Sequence, residues 1–112
     1  MKAAVTVKEN YVFRRIYRKG KSSVQPCLVV YCQKNRQGAT RLGVTVSTKL
    51  GHAVVRNRVR RRLREIVRHN ASSLPSGYDI VAVARTAAVE AEFAALEKSF
   101  RLLAGRLGLS AL

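Results

Sequence analysis

At 112 residues the chain has room for one domain with a modest core and is too short for two independent ones. Its 22 Lys and Arg against 6 Asp and Glu give a formal net charge of +16, which suits a binder of phosphate backbones and argues against a solitary enzyme acting on small molecules. The hydrophobic fraction of 47% excludes a disordered basic tail, because such tails lack the apolar side chains to build a core.

The first expected element is a helix running from Lys8 to Lys19. Thr6 and Glu9 stand at capping-box spacing, with Asn10 a competing N-cap one turn later. Phe13, Ile16 and Tyr17 share a face at i, i+3, i+4, and Gly20 behind Arg18 and Lys19 predicts a left-handed stop. Residues 21–24 are compatible with a short strand. CLVVYC (Cys27 to Cys32), starting after Pro26, is β-branched-rich, and RLGVTVS (Arg41 to Ser47) places Leu42, Val44 and Val46 on one face. Asn35 and Gly38 in the intervening KNRQGAT predict a hairpin joining these two strands.

A basic helix is expected from about Ala53 to Asn70. At about 100° per residue, Val55, Val59, Leu63 and Ile66 form a core-facing stripe. Asn57, Arg61, Arg64 and Arg68 fall opposite it, with Arg60 on the flank. Arg56, Arg58 and Arg62 complete seven arginines in this run, against a single Glu65. So many guanidiniums repel one another unless a polyanion neutralises them, and a solvated charged face ordinarily carries i, i+4 acidic partners that this one, Glu65 apart, lacks. SSLPSG (Ser72 to Gly77) then reads as a loop, YDIVAVA (Tyr78 to Ala84) as a largely buried strand, and Glu90 to Leu107 as a helix with Phe93, Leu96, Phe100, Leu103 and Leu107 as its stripe. The order is αββαβα, or αβββαβα if residues 21–24 count. It describes an α+β fold with helices packed on a single small sheet, residues 1–112 forming one RNA-binding domain.

The aromatics Phe13, Tyr17 and Tyr31 form a second constellation. Aromatics at helical spacing ordinarily belong to a core. If the first helix packs beside the CLVVYC strand, however, the three rings border one groove, and rings in a basic groove stack on unpaired bases. Arg14, Arg15, Arg18, Lys19 and Lys21 supply that basic setting.

For chemistry the sequence offers little. Glu9, Glu65, Asp79, Glu90, Glu92 and Glu97 form no close pair suited to metal or acid–base work, and there is no phosphate-binding glycine loop. Cys27 and Cys32, five apart on one expected strand, should point to opposite faces and so cannot bridge each other. With only His52 and His69 as further soft ligands, they read as small hydrophobes in a reducing cytosol. No catalytic residue and no metal site of the protein's own are expected. Neither a membrane span of about 18 apolar residues nor a secretory signal is evident, so a cytoplasmic protein is expected.

The segments VKENYVFRRIYRKGK, CLVVYC, RLGVTVSTKLGHAVVRNRVRRRLRE and GYDIVAVAR, followed by an amphipathic last helix, resemble in order the bacterial ribonuclease P protein subunit. The most specific part is Arg56-Asn57-Arg58, with Lys49 and Gly51 ahead and Arg60, Arg61 and Arg64 behind. The resemblance implies a left-handed βαβ crossover through the arginine helix, against the usual rule. It implies a catalytic RNA partner that removes the 5′ leader of precursor tRNA, with Mg²⁺ bound mainly by that RNA and none by the protein alone. It also implies a leader-binding cleft to which Phe13, Tyr17 and Tyr31 correspond by position; Tyr17 falls where phenylalanine is also common. Arg56, Asn57, Arg58, Arg60, Arg61 and Arg64 correspond to the family's basic helix, and Lys49 and Arg68 extend the expected RNA surface. His52 takes no role.

The same topology occurs in a translocation-factor domain and a small-subunit ribosomal protein, so fold alone does not decide function. The rival reading is a ribosomal or other structural RNA-binding protein with no enzyme partner. A DNA reader is weaker, because seven arginines leave few side chains for base recognition. Neither DNA nor a membrane is an expected partner.

Overall fold

The computed structural model describes residues 5–6, 10–36 and 38–109, and side chains from residue 14 onward. The elements in chain order are β1 (Val5–Thr6), α1 (Asn10–Lys19), β2 (Lys21–Val24), β3 (Leu28–Lys34), β4 (Arg41–Thr45), α2 (Ala53–His69), β5 (Tyr78–Ala84) and α3 (Phe93–Arg106). Residues 21–24 do form a strand. The last helix starts at Phe93, because Thr86–Val89 first makes a 3-10 turn that buries Ala88. The Thr6–Glu9 capping pair lies outside the described residues, since Glu9 and the Thr6 side chain are not among them.

One mixed sheet runs β1-β4-β5-β3-β2. The expected hairpin between the CLVVYC and RLGVTVS strands does not exist. β5 lies between them, antiparallel to β3 and parallel to β4. YDIVAVA is apolar on both faces and gains most from the central position, where both faces are covered. The six residues between β3 and β4 reach across one strand, since an extended chain covers about 3.3 Å per residue. α2 then crosses from β4 to its parallel neighbour β5, the unit for which the family resemblance implies an unusual hand.

The alternation of β5 separates two packing layers. Ile80, Ala82 and Ala84 join Leu28, Val30, Cys32 and Leu42 in the main core, which α2 closes with Val59, Leu63, Ile66 and Val67, and α3 with Leu96, Phe100, Leu103 and Ala104. Val81 faces the other side and meets Ile16 of α1, with Tyr31 and Val83 packed around them. The basic helix and the first helix therefore lie on opposite faces of the sheet.

Two local expectations change. Gly20 has no positive φ, so it is not a left-handed stop. It is needed for space, because a Cβ there would sit 2.5 Å from the Cys32 carbonyl oxygen and 2.6 Å from that of Ile16. Cys27 and Cys32 do not face opposite sides. Cys27 precedes β3 in the turn, so strand alternation does not govern it. Both thiols are free and buried in the main core, with Cys27 Sγ donating to Ser99 Oγ at 3.2 Å. Burial pushes the Cys32 thiol up in pKa, against the pull of Lys21.

Candidate nucleic-acid interface

α2 is held by its apolar stripe. Val59, Leu63 and Ile66 are fully buried, Val67 joins them, and Val55 is half-buried nearer the helix start. That anchoring leaves Asn57, Arg58, Arg61, Arg64 and Arg68 exposed and Arg60 half-exposed. Among the described residues, none of the seven arginines has a carboxylate within salt-bridge distance. The ion pairs found there belong to Asp79 and Glu97. Apart from the exposed Glu65, the run presents a one-signed surface, as its composition implies.

Three arginines have local bonds. Arg60 donates to Asn57 Oδ1 at 2.7 Å, which leaves the Asn57 amide N–H groups pointing away from that contact. Arg56 donates to the Gly51 carbonyl at 3.1 Å and braces the entry to α2. Arg62 donates to the Ala91 carbonyl at 2.9 Å and ties α2 to the approach of α3. Lys49 stands exposed in the 3-10 turn Thr48–Leu50 just before the helix, a turn capped by Ser47, whose Oγ accepts from the Lys49 N–H. The far end of α2 is fixed by buried Asn70. Its amide donates to the Ile66 carbonyl and to Glu97, and accepts from Arg101; His69 lies 3.4 Å from the same Glu97.

On the other face of the sheet, Tyr17 and Tyr31 meet edge-to-face with ring centroids 4.8 Å apart. Tyr31 is half-buried and also packs on the Ile16–Val81 cluster, so it serves the core and the surface together. Tyr17 is 38% exposed and shares a 3.1 Å hydrogen bond with Thr45 at the end of β4. The chain leaves that point toward Lys49 and α2, so the ring pair and the basic helix flank the same end of β4. Phe13 lies in α1, but its side chain is outside the described ones.

Sequence reasoning missed Asp79. It is fully buried, held by Arg41 through two bonds of 2.7 Å and by Asn35 at 2.9 Å, with Arg15 at 3.9 Å. Burial works against this carboxylate, yet the hydrogen bonds from Arg41 and Asn35 and the charges of Arg41 and Arg15 outweigh it, leaving its pKa below the usual aspartate value. The signal was present: one acid inside an otherwise apolar strand requires a cation beside it. Among the described residues no group of three or more His, Cys, Asp or Glu is placed to hold a metal ion. No described helix is long and apolar enough to cross a membrane.

The geometry is that of a helix-borne polycationic surface beside an aromatic pair. The family model described as ribonuclease P matches residues 1–108. The chain belongs to the ribonuclease P protein family. It is 43% identical over 99 residues to the ribonuclease P protein component of Thermoanaerobacter sp. (strain X514), covering 88% of this chain and 85% of that one. With the component from Clostridioides difficile (strain 630) it shares 40% over 105 residues, covering 93% and 92%. The structure of the Staphylococcus aureus RNase P protein superposes with a TM-score of 0.86 at 33% identity, over 96% of this chain and 98% of that one. That of Thermotoga maritima gives 0.78 at 32%, over 88% and 94%. These likenesses favour a protein subunit of ribonuclease P, an RNA-binding component of an endoribonuclease, over a structural protein without an enzyme partner.

Proposed function

We propose that the chain, acting as one RNA-binding domain over residues 1–112, divides its work between the two faces of the sheet. The outward side of α2, carrying Asn57, Arg58, Arg60, Arg61, Arg64 and Arg68 with Lys49 ahead of it, engages phosphates of the catalytic RNA subunit. Arg56 contributes by bracing the start of that helix as well as by its charge. Phe13, Tyr17 and Tyr31 receive the single-stranded 5′ leader of precursor tRNA by stacking, which tolerates many base sequences. The protein neutralises repulsion between two RNAs, so the Mg²⁺ ions bound by the RNA can act at lower concentration. It contributes differential binding, holding a precursor that has a leader over a product that does not. The work belongs in the cytoplasm, with neither DNA nor a membrane as partner.

The observation that carries this reading is the outward arginine face of α2, anchored by fully buried Val59, Leu63 and Ile66 and left without carboxylate partners among the described residues. The leader assignment has its own test. Tyr31→Ala should weaken binding of a precursor with a leader of several nucleotides by about 1–3 kcal/mol, and leave mature tRNA binding nearly unchanged. Because Tyr31 also packs on Ile16 and Val81, each variant is first melted to confirm folding, and Tyr31→Phe, which keeps the ring, should retain leader binding. Equal losses for precursor and mature tRNA in a folded Tyr31→Ala would take these rings out of the leader site.

The protein freed of RNA should not cleave precursor tRNA at any Mg²⁺ concentration, because among the described residues no paired carboxylates or activated nucleophile stand on the RNA-facing surfaces. With its RNA partner, cleavage should begin at lower Mg²⁺ than for that RNA alone. Nuclease activity that survives repeated purification of the free protein would contradict the division of labour.

A further inference from the structure

The flank of α1 away from the tyrosines holds a second basic concavity. Ile16 is the residue α1 buries on Val81, and at helical spacing Tyr17 falls on one side of it while Arg15 and Lys19 fall on the other. Tyr17 accordingly meets Thr45 at the C-terminal end of β4, whereas Arg15 reaches toward Asp79, which Arg41 grips at the N-terminal end. There, between α1 and the loop leaving β3, lies a pocket of about 480 Å³ whose lining includes Arg15, Lys19, Gln33, Lys34, Arg36 and Arg41.

Its chemistry is specific in two respects. Asp79, the acid beside it, is already occupied by the Arg41 fork, and Lys19, Lys34 and Arg36 are exposed with no ion-pair partner among the described residues. Gln33 Oε1 is buried and has no hydrogen-bond donor among them. An acceptor left so carries an uncompensated desolvation penalty until a donor arrives. A phosphate answers the cations but offers Gln33 nothing. A nucleotide answers both, its phosphate meeting the cations and a base amino or imino N–H meeting the amide oxygen. The volume lies within the about 300–1,000 Å³ of pockets that hold small organic ligands.

We infer that this pocket seats one nucleotide of single-stranded RNA, its phosphate on Lys19, Lys34 and Arg36 and a base N–H on Gln33 Oε1, at a site that α1 separates from the Tyr17–Tyr31 cleft. The inference rests on the RNA-binding function proposed above. The strand comes either from an unpaired segment of the catalytic RNA or from the distal part of a long leader.

The test uses the whole protein with three probes: the catalytic RNA alone, and the assembled holoenzyme with a precursor bearing either a long or a very short leader. Lys34→Ala with Arg36→Ala should weaken one of these interactions on the order of tenfold, and lower its log–log salt slope by up to about 0.7, the value for one single-strand phosphate contact. Loss with the catalytic RNA assigns the strand to it; loss with the long leader only assigns it to the precursor. Gln33→Leu should weaken the same interaction without lowering the melting temperature, because it removes no hydrogen bond found in the free protein. Unchanged affinity and slope with every probe, while Arg61→Ala weakens RNA binding, would overturn the pocket and leave the α2 surface standing. If Arg61→Ala is silent too, both fall. Loss from the paired lysine and arginine change, with none from Gln33→Leu, would reduce the site to a phosphate contact and overturn the nucleotide assignment.

Discussion

Replacing Asp79 with alanine should cost the fold about 3–5 kcal/mol, the usual loss when one partner of a buried ion pair is removed. Asp79 is 0% exposed, and the side chain of Arg41 only 12%, so the substitution takes from a largely buried guanidinium the carboxylate that accepts two of its hydrogen bonds. It also removes an acceptor from Asn35, whose amide otherwise bridges Asp79 and the Ala39 carbonyl. For a domain of this size such a loss lowers the melting temperature by more than about 10 °C. The sign of the pH dependence follows from the lowered pKa of Asp79. A carboxylate whose folded pKa lies below its unfolded value of about 3.9 stabilises the fold above that value, and the contribution disappears as pH falls through the folded pKa. Asp79→Asn should therefore remove part of the acid sensitivity while lowering stability at neutral pH. Melting temperatures equal to wild type at pH 7 would show that Arg41 finds water or another acceptor, and that the pair does not hold the strand ends together.

The second large effect separates the two sides of α2. Leu63→Ala should destabilise the protein by about 2–5 kcal/mol, because Leu63 is fully buried in the main core and its loss leaves a cavity. Its folded fraction should still bind RNA with the wild-type salt slope. Arg61→Ala with Arg64→Ala should do the reverse, with the melting temperature nearly unchanged and the slope of log affinity against log salt flattened by up to about 1.4–1.8, for two lost phosphate contacts. Each arginine is exposed and shows no ion pair among the described residues, so folding loses little when they go. Arginine variants that unfold while keeping the full salt slope would mean that the helix is oriented the other way.

The two faces of α2 were legible in advance because a 3.6-residue period and a one-signed charge run are local properties. Val59, Leu63 and Ile66 could be assigned to the core, and Arg61, Arg64 and Arg68 to the surface, without knowing what the helix packs on. The same holds for the apolar stripe of α3. What the sequence hid was non-local. Nothing in KNRQGAT says that β5, arriving much later in the chain, takes the place between β3 and β4, so the loop read as a hairpin. The Arg41–Asp79 pair was hidden for the same reason, since those residues become neighbours only once β4 and β5 align. Gly20 was misjudged because a glycine can be required by a close carbonyl as well as by a left-handed turn. The pairing of Tyr17 with Tyr31 depended on which side of α1 meets the sheet, a matter that Ile16 decides. The pocket around Gln33 had no sequence signal, because its cations come from α1, β3, β4 and a loop.

The central position of β5 also bears on how the molecule is made. Leu28 pairs with Ala84 and Lys34 with Tyr78, so most of the sheet waits for residues translated well after the first strands have emerged. Until then β2 and β3 can form only a two-stranded ribbon, which is marginal in water, and among the described residues β4 has no earlier partner but Val5 and Thr6 of β1. High contact order of this kind slows folding. The arginines of α2 are synthesised before β5, so a nascent chain displays its polycation while it still lacks a sheet centre. Any RNA that binds only the finished surface draws the chain toward the folded state by mass action. Maturation of the protein and assembly with its RNA are thereby linked through the placement of a single strand.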